Sequence, residues 1–212
     1  MTGIPGTARS HRALILMVAV LALVLVWSGI GPRDRVVWWL EVAPVLIIVP
    51  LLIATAARFP LTPLLYALIG VHAAILMLGG HYTYARVPLG FWVQDLFDLS
   101  RNHYDRLGHF AQGFVPAIAV REVLLRTSPL TGSRWLPTLV VASCLAISAC
   151  YEFLEWWIAL IAGVAADEFL ATQGDVWDTQ WDMFLAVMGA VVALATLSRT
   201  HDRALARLLL QR

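Results

Sequence analysis

The stretch ALILMVAVLALVLVWSGI, residues 13–30, is free of charged side chains. An α-helix needs about 20 apolar residues to cross a bilayer, so this stretch predicts a membrane span. It follows Arg9 and Arg12, it is longer than the apolar core of a signal peptide, and no clear small-residue cleavage site comes after it. We therefore interpret it as a retained first transmembrane helix.

The rest of the chain has a similar composition. Of its 212 residues, 60% are hydrophobic and 14% are charged, whereas soluble domains carry about 25% charged residues. The net charge is +1 and there is no long basic run, so nothing indicates nucleic-acid binding. Cys144 and Cys150 are spaced to face away from each other on a helix, and we interpret them as core residues.

The same length criterion predicts six membrane spans within a single domain, residues 1–212. Span four is the least apolar, because Gln112, Pro116 and Arg121 interrupt it. The segment 87–100 mixes aromatic residues with aspartates, which predicts a short helix or loop in the outer interface. The predicted fold is an all-α polytopic membrane bundle with both termini cytoplasmic. The predicted spans are 13–30, 36–57, 61–80, 104–125, 136–162 and 179–198.

The arginines give the predicted orientation, because cytoplasmic segments of membrane proteins are enriched in basic residues. With the N-terminus inside, ten arginines fall on the cytoplasmic side and five on the outer side. The cytoplasmic set is Arg9, Arg12, Arg58, Arg121, Arg126, Arg134, Arg199, Arg203, Arg207 and Arg212, and the outer set is Arg33, Arg35, Arg86, Arg101 and Arg106.

Three predicted spans carry polar pairs at helical spacing, three or four residues apart, which puts each pair on one helix face. At 1.5 Å of rise per residue, all three pairs reach the outer third of the membrane. His72 in span three lies at a depth from which it could join them. The pairs are Asp105 with His109, Glu152 with Glu155, and Asp178 with Asp182.

Structural roles compete with functional ones for these residues. Asp175 and Asp178 are also typical of solvated loops or helix N-caps. His72 taken alone is typical of a hydrogen-bonded core histidine.

Ion pairs are a further structural alternative. Asp105 with Arg106, or either glutamate with Arg101, could form one. Glu152 and Glu155 fit a structural role less well, because charges deep in a span are costly and two acids on one face repel unless one is protonated or a cation lies between them.

Carboxylates with histidine and without cysteine favour a hard divalent cation, Mg²⁺, Mn²⁺ or Ca²⁺, over structural zinc. The predicted metal ligands are Asp105, His109, Glu152, Glu155, Asp178 and Asp182.

The sequence resembles the YjdF-type family of small bacterial inner-membrane proteins, which have no established activity. The resemblance is carried by residues 70–90, 104–117, 147–157 and 172–190, among them YDRLGHFAQGFVPA and ISACYEFLEWW. It implies a multi-pass protein of the bacterial inner (cytoplasmic) membrane.

A looser similarity links the chain to VanZ-like cell-envelope membrane proteins. It rests on the Asp105, Arg106, His109 and Phe110 pattern, but Glu155 and Asp182 stand where that family usually has glutamine and asparagine. The similarity implies an envelope-related role.

Three classes of function remain open. A metal-dependent enzyme acting on a lipid or lipid-linked phosphate would use Glu152, Glu155 or His109 in catalysis. Arg101 and Arg106, with His72, would then bind the substrate. A cation or proton transporter would use the glutamates as a relay, although no second polar set toward the cytoplasm is evident. A structural or accessory envelope protein would use the same acids for helix packing.

The predicted topology can be tested with reporter fusions along the chain. A cytoplasmic signal from the 163–177 loop would contradict the convergence of the polar pairs, because span six would then begin on the other side. We expect cytoplasmic signals after Arg58, Arg134 and Arg212, and outer signals near Arg33, Arg86 and Asp167.

Overall fold

The computed structural model of the chain describes residues 5–162 and 172–210. Within these ranges the protein is helical and has no strand, which confirms the all-α prediction. Asp167 and Arg212, used above to mark the two sides of the membrane, lie outside the described residues. The helices are α1 (Pro5–Gly29), α2 (Arg35–Thr55), α3 (Pro63–Tyr82), α4 (Pro88–Phe97), α5 (Tyr104–Thr127), α6 (Trp135–Ala162) and α7 (Asp178–Leu209), with a 3₁₀ turn at Tyr84–Arg86.

Five of these helices, α1, α2, α3, α6 and α7, are long and apolar enough to cross a membrane. The predicted fourth span is the exception, because α5 carries too many polar residues to qualify by composition. With 24 residues it still reaches about 36 Å. It packs against α3, α6 and α7, so much of its surface contacts protein.

The helix ends differ most from the predicted spans at α1, which begins at Pro5 and not at 13, and at α7. Helix α7 continues past the predicted end at 198 to Leu209, because Leu205 and Leu208 are buried and extend its packed face. The predicted interface segment contains α4, Pro88–Phe97, which exposes the large apolar side chains of Trp92 and Leu96.

Helices α5 and α7 approach closely through two glycines. A Cβ atom on Gly113 would collide with the carbonyl of Ala186, and one on Gly189 would collide with the carbonyl of Phe110. Small residues let membrane helices approach at backbone distance, where van der Waals contact stabilises the pair. This contact fixes the N-terminal turns of α7 against the N-terminal turns of α5.

The start of α1 and the end of α7 lie at one end of the bundle. Residues near the start of α1 and the end of α7 line a common cavity with the start of α3. The Ser10 hydroxyl donates to the Leu61 carbonyl oxygen at 2.6 Å, which ties α1 to the segment before α3. We call this the inner end and the opposite end the outer end, following the sides that the arginines predict.

Candidate functional site

The outer end contains a buried group of three side chains, which we call the outer cluster: Asp105 and His109 of α5 and Asp182 of α7. One potential ligand atom from each lies within 4.8 Å of the others. His109 Nε2 is 3.6 Å from Asp105 Oδ1 and 3.8 Å from Asp182 Oδ2. The i,i+4 spacing puts Asp105 and His109 on one face of α5, and the glycine contact brings Asp182 against them.

The other ring nitrogen of His109 faces a side-chain amide. Its Nδ1 atom is 3.1 Å from Gln112 Oε1 and 3.8 Å from Glu152 Oε1 of α6. In the tautomer that protonates Nδ1, this nitrogen donates to Gln112, and the Nε2 lone pair points toward the two aspartates. Metal-binding histidines usually donate their second ring nitrogen in this way.

Several oxygens in and beside the cluster have unmet hydrogen-bonding capacity. Asp105 Oδ2, Asp182 Oδ1 and Glu152 Oε1 are buried and have no hydrogen-bond partner among the described residues. Leaving a buried polar group unpaired costs about 1–3 kcal/mol, and more for a charged one. The arrangement therefore has unmet capacity to bind a proton or a cation.

The other predicted site residues lie around this cluster. Glu155 interacts electrostatically with Glu152, His109 and Asp105. His72 interacts with His109, and its Nε2 atom is buried without a hydrogen-bond partner in the described part of the chain. The structural alternative, a hydrogen-bonded core histidine, therefore does not hold for the Nε2 atom of His72.

Asp178 differs from the other predicted ligands, because it is paired with arginine. Its Oδ1 atom accepts a hydrogen bond from Arg101 Nη2 at 2.8 Å. Arg106 Nη2 binds Asp175 Oδ2 at 2.8 Å, and Arg101 Nη1 lies 3.5 Å from the same oxygen. The alternatives that paired Arg106 with Asp105 or Arg101 with a glutamate are therefore wrong.

These ion pairs join Arg101, before α5, and Arg106, in its first turn, to Asp175, before α7, and Asp178, its first residue. Arg101 Nη1 also donates to the Thr172 carbonyl oxygen at 2.7 Å, and Asn102 and Gln173 exchange two hydrogen bonds. Burial lowers the pKa of His103, the residue before α5, and the charges of Arg106 and Arg101 lower it further. The two arginines thus hold the start of α5 against the start of α7. A phosphate-binding role for them stays a prediction.

Sequence reasoning missed Glu41 of α2, which is 3% exposed. The Tyr151 hydroxyl donates to its Oε2 atom at 3.4 Å, and Glu41 interacts electrostatically with Asp105 and His109. A signal was available, since a carboxylate inside an otherwise apolar span is a functional candidate by default. Through Glu41, helix α2 also contributes an acidic side chain near the outer cluster.

Sequence reasoning also missed a second polar group at the inner end. Glu122 and His201 are fully buried, and His201 Nε2 lies 3.0 Å from Glu122 Oε2. Arg126 binds Glu122 Oε1 at 2.8 Å, and the Thr62 hydroxyl donates to Oε2 at 2.8 Å. Arg121 Nη1 lies 2.8 Å from His201 Nδ1, which must accept because guanidinium only donates.

We call Arg121, Glu122, Arg126 and His201 the inner cluster. Its existence corrects the expectation that no second polar set approaches the cytoplasm. In contrast to the outer cluster, each carboxylate oxygen of Glu122 has partners. Fully buried apolar residues, Ala117, Ile118, Ala190 and Ala193, lie between the two clusters along α5 and α7.

The fold and the site together define a polytopic helical membrane protein with a buried acid–histidine cluster. Residues 13–203 match the family described as Predicted membrane protein (DUF2238). The chain is 54% identical over 201 residues to Inner membrane protein YjdF of Escherichia coli (strain K12), covering 94% of this chain and 96% of that protein. No solved structure matches.

The chain belongs to the DUF2238 family of membrane proteins. The resemblance to the YjdF-type family is thereby confirmed, as is the predicted location in the bacterial inner membrane.

The inner cluster predicts that removing its buried acid, Glu122, destabilises the protein more than removing the exposed acid Asp202. Glu122→Ala leaves the buried Arg126 without its carboxylate, and losing one partner of a buried pair costs about 3–5 kcal/mol. Asp202→Ala removes a carboxylate whose side chain is 56% exposed, so water already solvates this acid and its loss should cost clearly less than the loss of Glu122. Thermal unfolding in detergent measures both, and equal losses would contradict the assignment of the inner cluster as a stability element.

Proposed function

We propose that the outer cluster binds one divalent cation through Asp105, His109 and Asp182. The observation that carries this proposal is the convergence of three buried ligand atoms within 4.8 Å, drawn from two helices. The Gln112 oxygen beside His109 Nδ1 supports it, since it favours the tautomer in which Nε2 is a ligand. The unpartnered oxygens of Asp105 and Asp182 support it further.

The spacing of the ligand atoms bears on which cation fits. Two ligands at right angles around Mg²⁺ would lie about 2.9 Å apart, and around Ca²⁺ about 3.3–3.7 Å apart. The separations from His109 Nε2, 3.6 and 3.8 Å, are closer to the larger ion. Imidazole disfavours Ca²⁺ relative to a transition metal, so we place Mn²⁺ and Ca²⁺ ahead of Mg²⁺.

We further propose that the bound cation serves a hydrolytic reaction on a lipid or lipid-linked phosphate ester at the outer face. The cation would act as a Lewis acid toward the phosphate. Glu152 would accept the proton of the attacking water as the new P–O bond forms. The ester P–O bond breaks, and the leaving alkoxide receives that proton. Glu152 suits the role, because its Oε1 atom is buried, unpartnered among the described residues and beside His109.

The transporter alternative gains a specific observation, because the inner cluster supplies polar groups at the opposite end. Two features weigh against it. The acid of the inner cluster is held by ion pairs and hydrogen bonds, and the α5–α7 contact between the clusters is a backbone contact through Gly113 and Gly189. A conducting path would have to separate that contact. An accessory role without catalysis remains the alternative if no substrate is turned over.

Cation binding to the native state should raise the unfolding temperature of the purified protein. A ligand at one hundred times its Kd stabilises by about 2.7 kcal/mol. We expect Mn²⁺ or Ca²⁺ to raise the melting temperature relative to EDTA in wild type. Asp182→Asn should abolish the rise, because it removes one of three ligands.

Asp95→Asn is the matched control, since Asp95 is an exposed aspartate on α4. It should keep the full response. Glu152→Gln should keep most of the response while abolishing the phenotype that the wild type complements. No metal-dependent rise in wild type would contradict cation binding. A rise that persists in Asp182→Asn would contradict the assigned ligands.

A further inference from the structure

A cavity of about 400 Å³ lies at the inner end, far from the outer cluster. It is formed where the start of α1, the start of α3 and the end of α7 meet. Its lining combines three arginines with apolar side chains. The arginines are Arg9, Arg12 and Arg207, and the principal apolar residues are Pro63, Leu64 and Leu208.

The cavity carries positive charge that no carboxylate of the described residues pairs with. Arg9, Arg12 and Arg207 are exposed, and none has a carboxylate partner within the ranges 5–162 and 172–210. Asp202, an acid on the same part of α7, binds Arg121 at 2.7 Å. Three cations around one cavity repel each other unless an anion joins them.

The start of α3 contributes one backbone donor to this cavity. Pro63, its first residue, has no N–H, and the Leu65 N–H donates to the Thr62 hydroxyl oxygen at 3.3 Å. The Leu64 N–H has no partner within the helix, and amides at a helix N-terminus attract phosphate. The cavity therefore combines three guanidinium groups with one helix N-terminal amide.

The surroundings of the cavity indicate a lipid rather than a soluble anion. Leu16 lies one helical turn beyond Arg12 toward the membrane and is 66% exposed, and its neighbour Ile15 is 67% exposed. An apolar surface of α1 thus leads from the arginines along the hydrocarbon region. Basic pockets between transmembrane helices on the cytoplasmic side bind anionic lipid headgroups.

We propose that this inner cavity binds the phosphate headgroup of an anionic glycerophospholipid of the cytoplasmic leaflet. The three arginines contact the phosphate, and the acyl chains lie along Ile15 and Leu16 of α1. The site is independent of the cation site proposed above, because the two lie at opposite ends of the bundle and share no residue.

Native mass spectrometry of the detergent-solubilised protein, titrated with phosphatidylglycerol or phosphatidylcholine, tests this proposal. We expect wild type to bind phosphatidylglycerol more tightly. The triple variant Arg9→Gln, Arg12→Gln, Arg207→Gln should lose about fivefold in phosphatidylglycerol affinity per arginine. The charge-matched control is Arg134→Gln, Arg199→Gln, Arg203→Gln, which removes three exposed arginines outside the cavity and should change affinity little.

Three results would overturn the proposal. Equal binding of the two lipids by wild type excludes an anionic-headgroup site. An equal loss in both triple variants indicates diffuse electrostatic attraction instead of this cavity. Displacement of the lipid by millimolar glycerol phosphate indicates a site for a soluble anion. The rise in melting temperature with Mn²⁺ tests the proposed cation site separately. In the Arg9, Arg12, Arg207 triple variant this rise should match that of wild type, whether or not the lipid binds.

Discussion

The bundle depends on enclosing α5, a helix too polar to face lipid. It carries Asp105 and His109 near one end and Arg121 and Glu122 near the other, and all four are buried. Unpaired charges in a bilayer cost several kcal/mol, so these side chains require protein neighbours. Helices α3, α6 and α7 provide them, and the glycine contact allows α7 to approach at backbone distance.

The two ends of α5 meet this requirement differently. At the inner end, Glu122 is surrounded by Thr62, Arg126 and His201, so its charge is compensated within the protein. At the outer end, three acids and one histidine converge. Within the described ranges no arginine forms an ion pair with these acids, and three of their oxygens lack hydrogen-bond partners. The incomplete network at the outer end is therefore the one for which we propose a function.

The sequence was sufficient for the features that follow from local periodicity and depth. It predicted an all-helical membrane fold, which the structure shows. It also predicted a common depth for Asp105, His109, Glu152 and Asp182, and these side chains lie close together in the structure. It did not predict the inner cluster, because Glu122 and His201 are 79 residues apart and His201 lies beyond the end of the predicted sixth span. The partners of Arg101 were also missed, since several acids lay within reach and only the tertiary packing selects among them.

The most direct test of the proposed cation site is pulsed electron paramagnetic resonance of Mn²⁺ added to the purified protein. Coordination by His109 predicts one tightly bound Mn²⁺ per chain with nitrogen-14 modulation from an imidazole ligand. His109→Gln should remove that modulation, while His11→Gln, a change at an exposed histidine at the inner end, should retain it. Absence of tightly bound Mn²⁺, or bound Mn²⁺ whose nitrogen modulation survives in His109→Gln, would contradict the site that we describe.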